Sequence, residues 1–335
     1  MKRINKSAGV VVIILLLSLA IVLALWYRSN NKTFETQTFF AMDTAVTIKA
    51  IGADLNECKE LLQNLNGELD AYKKGSTLYN LNRNGKGESE IIAELISKFD
   101  NTEHKSVDAA SGKLIELWHD AAEQGRIPSD GEIESALSTI NSDNISVIGN
   151  EITLSNGACL NFGCCAKGYA CDKLKEYFER CGAECAIASH GSSSLFYGKK
   201  PDGSRFTTAI TNPFEPSSTV LKVETGECFI STSGAYERFF EIDGKKYGHI
   251  YDLDTGYPVD TDLSSVTVIC DSGIASDILS TEIFIGGTAG LQNRLNDESY
   301  SVIAIDENRN IYVSQGIVND VTLTDNSFNL IKTEE

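Results

Sequence analysis

Apolar and polar side chains alternate from residue 39 to 51 (FFAMDTAVTIKAI), a period of two that predicts one β-strand. From residue 57 to 72 the period lengthens, and Leu61, Leu62, Leu65 and Leu69 fall on one helical face. Residues 73–90 carry glycine and asparagine without either period and are expected to form a loop region. Helices are predicted over 91–99 and 111–122, and Pro128-Ser129-Asp130 supplies the start of another over 132–137. Residues 147–148 and 151–154 flank Gly149-Asn150 as a hairpin. A helix over 167–181 opens from a glycine-bearing turn, and strands follow near 186–189, 195–197, 206–210 and 219–223. Residues 231–258 hold Gly234, Gly244, Gly248 and Gly256 among acidic turns and aromatics, which reads as a binding surface built from loops. A strand over 265–270, a helix over 274–284 and strands over 301–305 and 311–313 complete the pattern. The elements alternate irregularly, with no repeat and no clean linker, so a mixed α+β fold is expected rather than a doubly wound sheet.

The N-terminus breaks this pattern. Lys2, Arg3 and Lys6 precede an uncharged apolar run from Ala8 to Trp26, long enough to cross a hydrocarbon core of about 30 Å as a helix. The run ends in Leu25-Trp26-Tyr27-Arg28, an aromatic interface anchor rather than a small-residue cleavage site. This predicts a cytoplasmic tail (1–7), a transmembrane signal anchor (8–27) that stays uncleaved, with cleavage as the alternative, a linker (28–38) and an extracytoplasmic domain (39–330). Beyond Arg28, 25 basic residues face 47 acidic ones, a net charge near −22 that excludes nucleic acid and anionic lipid surfaces as partners of that domain. A phosphate ligand must then be held by a local device: a metal, a helix N-terminus or a glycine turn. The nine cysteines are irregularly spaced, with no pair of C-x-x-C knuckles, and read as small buried apolar residues.

Four places could carry chemistry. In Asn161-Phe-Gly-Cys-Cys-Ala-Lys-Gly-Tyr-Ala-Cys-Asp172 a glycine turn leads into a helix, placing backbone N–H groups and Lys167 where an anion could sit. The bland alternative is a plain strand–turn–helix whose lysine faces water. Asp277 and Thr281 are four apart on a predicted helix, so carboxylate and hydroxyl share a face and suit one hard cation; helix capping by Ser276 or Asp277 is the alternative. His249 stands before Asp252 and Asp254 and suits a base or a phosphate contact, or a structural role. Asp108, in SVDAASGKLIELW, and the run from Ser189 to Ser194 each fit a site-lining turn or a plain one.

Taken together, these segments resemble the ApbE family of flavin transferases, over roughly residues 40–305. AMDTAVTI is similar to the family's Met-Gly-Thr strand, SVDAASGKLIELW to its Phe-Asp-x-Thr…Leu…Trp stretch, and NFGCCAKGYACD to Asp-Leu-Gly-Gly-Ile-Ala-Lys-Gly-Tyr-Ala-x-Asp. STSGAYERFFEIDGKKYGHIYDLDTGYPV follows Thr-Ser-Gly-x-Tyr-Glu-Arg…Gly…His-Ile…Thr-Gly-Tyr-Pro, and ASDILSTEIFIGG follows Ala-Asp-Ala-x-x-Thr. The resemblance implies a single large ApbE/T-fold-like domain behind the anchor. It implies Mg²⁺ held by Asp277, Thr281 and the backbone carbonyl of Cys164, with FAD as substrate near Met42, Asp108, Asn161, Lys167 and His249. Asp277 and His249 are the implied catalytic residues. FMN would pass to a Thr or Ser of an acceptor redox protein bearing an Asp-x-x-Thr type motif, releasing AMP. A Mg²⁺-dependent FAD pyrophosphatase and a membrane-anchored flavin carrier are the competing functions. The sequence departs from the family in three places: Asn161 stands for Asp, Cys164-Cys165 for Gly-Ile, and His190-Gly191-Ser192-Ser193 for a Leu-Gly-Gly-[Asp/Asn] turn.

Overall fold

In the computed structural model the described residues are 16–21, 33–100, 106–234, 236, 239–242 and 244–331. The chain runs through β1 (Glu35–Ala41), β2 (Thr44–Ile51), α1 (Leu55–Leu69), α2 (Thr77–Asn84), β3 (Lys86–Glu88), α3 (Glu90–Asp100), α4 (Gly112–Glu123) and α5 (Asp130–Leu137). Next come β4 (Ile145–Ile148), β5 (Glu151–Leu154), α6 (Ala166–Cys181), β6 (Cys185–His190), β7 (Ser193–Gly198), β8 (Phe206–Thr211), β9 (Thr219–Thr225) and β10 (Cys228–Gly234). The hairpin β11 (Phe239–Ile242) and β12 (Lys245–Gly248) precedes β13 (Leu263–Cys270), α7 (Gly273–Gly286) and α8 (Leu291–Leu295). The chain closes with β14 (Ser301–Asp306), β15 (Asn310–Val313), β16 (Val321–Leu323) and β17 (Asn329–Ile331).

A nine-stranded sheet in the order β1-β2-β6-β7-β10-β13-β14-β15-β17 forms the middle layer. Its pairs are antiparallel except β15 with β17. Strand β6 shows how the layers are built. Ala186 and Ala188 face the cluster formed with α1, α3, α6 and α7, while Cys185 and Ile187 face the small sheet β16-β9-β8. A strand covered on both sides loses the polar half of its alternation, which is why β6 is apolar from Cys185 to Ala188.

Four expectations are corrected. The single strand over 39–51 is two strands, because Met42 and Asp43 take left-handed φ angles of 48° and 58° and reverse the chain. The loop read over 73–90 contains α2, whose Ser76 accepts from the Tyr79 N–H and whose left-handed Gly85 ends it. Only Leu78 and Leu81 of α2 are buried, too few apolar positions to show a period. The stretch beginning at Ser231 is not wholly loop: it starts inside β10, an interior strand of the large sheet. Finally, β1 begins at Glu35, inside the segment read as linker.

The apolar run read as an anchor, 8–27, lies outside the described residues except for 16–21, which are helical and exposed. No helix among the described residues is long and apolar enough to cross a membrane. All nine cysteines are free thiols, and Cys181 alone among them is exposed.

Candidate active site

The site grows from the crossing of α6 and α7. Gly168 and Gly273 meet backbone to backbone; a Cβ on Gly168 would stand 2.0 Å from the Gly273 carbonyl oxygen. Only glycine permits that approach. One turn further along α6, Asp172 reaches across and accepts from the Gly273 and Ile274 N–H groups at 2.7 and 2.9 Å. Ser272 accepts from Ala275 N–H, so the first turn of α7 is capped by Ser272 and Asp172. Burial pushes the Asp172 carboxyl up, against the pull of its two N–H donors.

Because capping is done elsewhere, Asp277 is free for another task. Its side chain is 6 % exposed and turned toward α6, where Oδ2 accepts from the Gly168 N–H at 2.6 Å. Its Oδ1 accepts from Ser193 Oγ at 2.6 Å. Gly168 is the third residue of α6, so its N–H is one of the first four in the helix and has no carbonyl partner within it; the Asp277 carboxylate supplies the acceptor. Thr281 lies one turn beyond Asp277; its hydroxyl donates to the Asp277 carbonyl at 3.1 Å and meets Ser233 Oγ of β10 at 3.1 Å. Ser233 also meets Ser280 at 2.9 Å, and Ser231 meets Ser276 at 2.8 Å, so α7 is laced to β10 by hydroxyls.

The turn between β6 and β7 closes the other side. Ser193 points down to Asp277, and Ser192 accepts a hydrogen bond from Lys167 Nζ. The turn between β1 and β2 packs on it: a Cβ on left-handed Gly191 would stand 3.0 Å from Thr44 Oγ1. Between these turns, β8 and β10 lies a cleft of about 430 Å³ lined by Asp43, Thr44, Lys167, Ser192, Thr208 and Thr232 among others. Beneath the turn His190 is fully buried, with neither ring nitrogen hydrogen-bonded. Burial, with the Lys167 charge adding to it, lowers its pKa to about 4; the Ala41 backbone opposes this weakly from outside hydrogen-bond geometry.

The other candidates sort as follows. Asn161 is buried, and its Oδ1 accepts from Gly163 N–H at 2.8 Å, holding the turn that opens α6. Its own N–H bonds the Ala109 carbonyl at 2.8 Å, which joins it to the Asp108 turn, where Asp108 Oδ1 accepts from Ala110 N–H at 2.7 Å. Met42 is tied to α1 by its N–H to Asn66 Oδ1 at 2.8 Å. Cys165 is buried at the start of α6, and burial, then Cys164 and Asp277, drive its thiol well above the usual range. The structure therefore brings Lys167, Cys164, Asp277 and Thr281 to one crossing, and Asp108 with Asn161 to the turn before it. His249 is exposed directly after β12, and the bonds given above for Asp277 and Lys167 do not include it. Ser192, Ser193 and Ser233 bond directly to the candidate residues. The first two sat in a run that read equally as a plain turn; Ser233 lay in the Thr-Ser-Gly match of the segment from Ser231, but nothing there singled out its side chain.

This layering is found in solved structures. The ApbE protein of Thermotoga maritima superposes with a TM-score of 0.75 at 24 % identity, covering 85 % of this chain and 98 % of that one. The Pseudomonas stutzeri flavinyl transferase ApbE gives 0.72 at 24 % identity, covering 82 % and 92 %. Those likenesses define the class by fold. Residues 42–305 match the ApbE family, and the chain belongs to that family. Among its relatives is the FAD:protein FMN transferase of Klebsiella pneumoniae (strain 342), 32 % identical over 216 residues. That match covers 61 % of this chain and 65 % of the relative, just under two thirds of its length. The protein of the same name from Treponema pallidum (strain Nichols) is 26 % identical over 304 residues, covering 83 % of this chain and 84 % of the relative.

Proposed function

We propose that this chain transfers FMN from FAD to a Thr or Ser hydroxyl of an acceptor redox protein, with Mg²⁺ as its resident ion and AMP as the product released. Asp277 carries the reading. It is a buried carboxylate bonded by an amide and a hydroxyl, and no ion pair among the described residues includes it. An isolated buried charge is costly unless a counter-charge completes it. The ligands we assign are the Asp277 carboxylate, the Thr281 hydroxyl one turn along α7 and, as the family resemblance implies, the Cys164 carbonyl at the turn into α6; all are hard oxygens, a donor set suited to Mg²⁺ in spite of the neighbouring thiols. When bound there, the ion supplies neutralising charge to the pyrophosphate and to the oxygen on which AMP leaves.

The chain's own residues do the rest. Lys167 offers an ammonium at the cleft, so an acidic domain can receive an anionic substrate. Asn161 holds the turn amides in place as a neutral residue and adds no charge against the phosphates. The Cys164-Cys165 replacement leaves the backbone ligand available, since a carbonyl is independent of the side chain. His249, on an exposed segment, is assigned to take the proton of the acceptor hydroxyl. We also assign the catalytic domain to the extracytoplasmic side, on the strength of the charged tail and apolar run at 1–27.

The test is covalent labelling. The full chain is incubated with FAD, Mg²⁺ and a folded protein carrying an Asp-x-x-Thr segment, and flavin fluorescence is read on a denaturing gel. The acceptor threonine should gain FMN, and the signal should vanish with EDTA and in Asp277→Ala. FAD split to FMN and AMP without labelled acceptor would replace the transferase with a pyrophosphatase. Intact bound FAD with neither product would make the chain a flavin carrier.

A further inference from the structure

We propose that Ser192 is an on-enzyme acceptor of FMN: when no acceptor protein is present, its hydroxyl becomes flavinylated. This rests on the transferase reading above and adds a modification site to it. Ser192 occupies a glycine position of the family turn, so its hydroxyl is a feature of this chain. It is half-buried at the wall of the cleft, where Lys167, Asp43 and Thr44 also stand.

Three observations single it out from the serines beside it. Its backbone is fixed, because the Ser192 carbonyl accepts from Thr232 N–H of β10 at 3.0 Å and Gly191 is wedged against Thr44. Its Oγ is fixed as well, by the hydrogen bond from Lys167 Nζ. Ser193, by contrast, is buried and committed to Asp277, and Ser194 lines the cleft without that lysine bond. An ammonium has three donors and no acceptor, so Lys167 keeps two for a phosphate and leaves the Ser192 proton free to depart. Two oxygens on one ammonium at ordinary hydrogen-bond distances stand about 4.5 Å apart. A phosphate oxygen paired with Lys167 therefore stands about 4.5 Å from a nucleophilic oxygen that has already lost its rotational freedom, so a shift of about 1 Å brings the phosphate to the near-attack range of about 3–3.5 Å.

The step balances without any further reagent. A bond forms between Ser192 Oγ and the FMN phosphorus of FAD as the bond from that phosphorus to the bridging oxygen breaks. The electron pair leaves on the AMP phosphate, and the serine proton passes to that phosphate and then to water. FAD and a serine hydroxyl give seryl-FMN and AMP.

The experiment uses the full chain with FAD and Mg²⁺ in two arms, one without an acceptor and one with the Asp-x-x-Thr protein. Each is denatured to strip loose flavin, then weighed intact and mapped by peptide. In the first arm the enzyme should gain one FMN, located on Ser192. Ser192→Ala should lose at least ten-fold of that label, whereas Ser192→Thr should keep it. Thermal midpoints and FAD binding of both variants establish that they are folded. Acceptor labelled in the second arm with the enzyme unlabelled in the first would overturn the Ser192 assignment alone. A label that maps elsewhere, or that persists in folded Ser192→Ala, would also overturn it. Absence of label on both proteins would overturn the transferase reading and this proposal together.

Discussion

Replacing Gly168 by alanine places a methyl carbon 2.0 Å from the Gly273 carbonyl oxygen. Real Cβ contacts essentially never fall below 3.0 Å, so α6 and α7 must part by about 1 Å. The Gly168 N–H bond to Asp277 Oδ2, now 2.6 Å, cannot survive an opening of that size along its axis. Overpacking costs about 1–3 kcal/mol, and losing a hydrogen bond to a charged group about 1.5–3 kcal/mol. The two together come to roughly 2.5–6 kcal/mol, or a fall of about 4–10 °C in thermal midpoint for a chain of this size. The matched control is Gly67→Ala on α1, where an added Cβ meets nothing within 4 Å. There alanine should be neutral or raise stability by up to about 1 kcal/mol. Differential scanning fluorimetry reads stability and covalent labelling of an acceptor reads function; Gly168→Ala should lose both. A Gly168→Ala protein that melts within 2 °C of the parent and transfers flavin normally, by roughly the scale above, would refute the claim that this crossing sets the position of Asp277.

Asp277→Asn keeps the shape and removes the charge; acceptor labelling should fall on the order of 100-fold or more and need far more Mg²⁺, read by titrating the ion. His190 is neutral in the folded state down to about pH 4, whereas an unfolded histidine takes its proton near 6.5. Stability is therefore whole above about pH 6.5 and is lost as pH falls toward 4, by about 3 kcal/mol. His190→Leu should flatten that acid limb by one proton, measured by urea unfolding at pH 4.5 and 7. Asp172→Ala removes both side-chain bonds to the first turn of α7 and should cost about 1–2 kcal/mol, with Asp172→Asn costing less; denaturant unfolding separates them. Trp118→Phe strips the 2.7 Å bond from the indole Nε1 to the buried Gly256 carbonyl and should cost about 1–3 kcal/mol by the same measurement.

How much of this was readable in the sequence depends on whether the signal was local. The i, i+4 spacing of Asp277 and Thr281 is local, and both residues do project from α7 toward β10 and α6. That Asp277 would take the Gly168 amide depends on a helix crossing a hundred residues away in sequence, and no periodicity reports a crossing. Strand β10 was hidden for a related reason. Its Ser231, Thr232 and Ser233 look like turn residues, yet each is satisfied by a hydroxyl on α7 or β13, so the strand is buried although its composition is polar. Gly256 shows a second kind of hidden partner. A Cβ there would stand 2.3 Å from Ile133 Cγ2, and its φ is +74°, so close packing against α5 and a left-handed turn account for the glycine without a ligand. Glycines mark close approach in both cases, and only the fold shows what is approached.

The charge problem posed by the composition has the same local solution. A domain near −22 repels an anionic substrate at long range, but that field is screened beyond about 8–10 Å in ordinary salt. On the function proposed above, the chain has to arrange only a few groups within that distance: one lysine held by Ser192, a turn amide held by Asn161, and the buried Asp277 carboxylate. Each is fixed by a neighbouring side chain or amide. Exchanging Leu-Gly-Gly for His-Gly-Ser in the β6–β7 turn is tolerable on these terms. His190 is uncharged inside the fold at neutral pH, Gly191 still makes the reversal, and Ser192 tightens the grip on the lysine rather than competing with it.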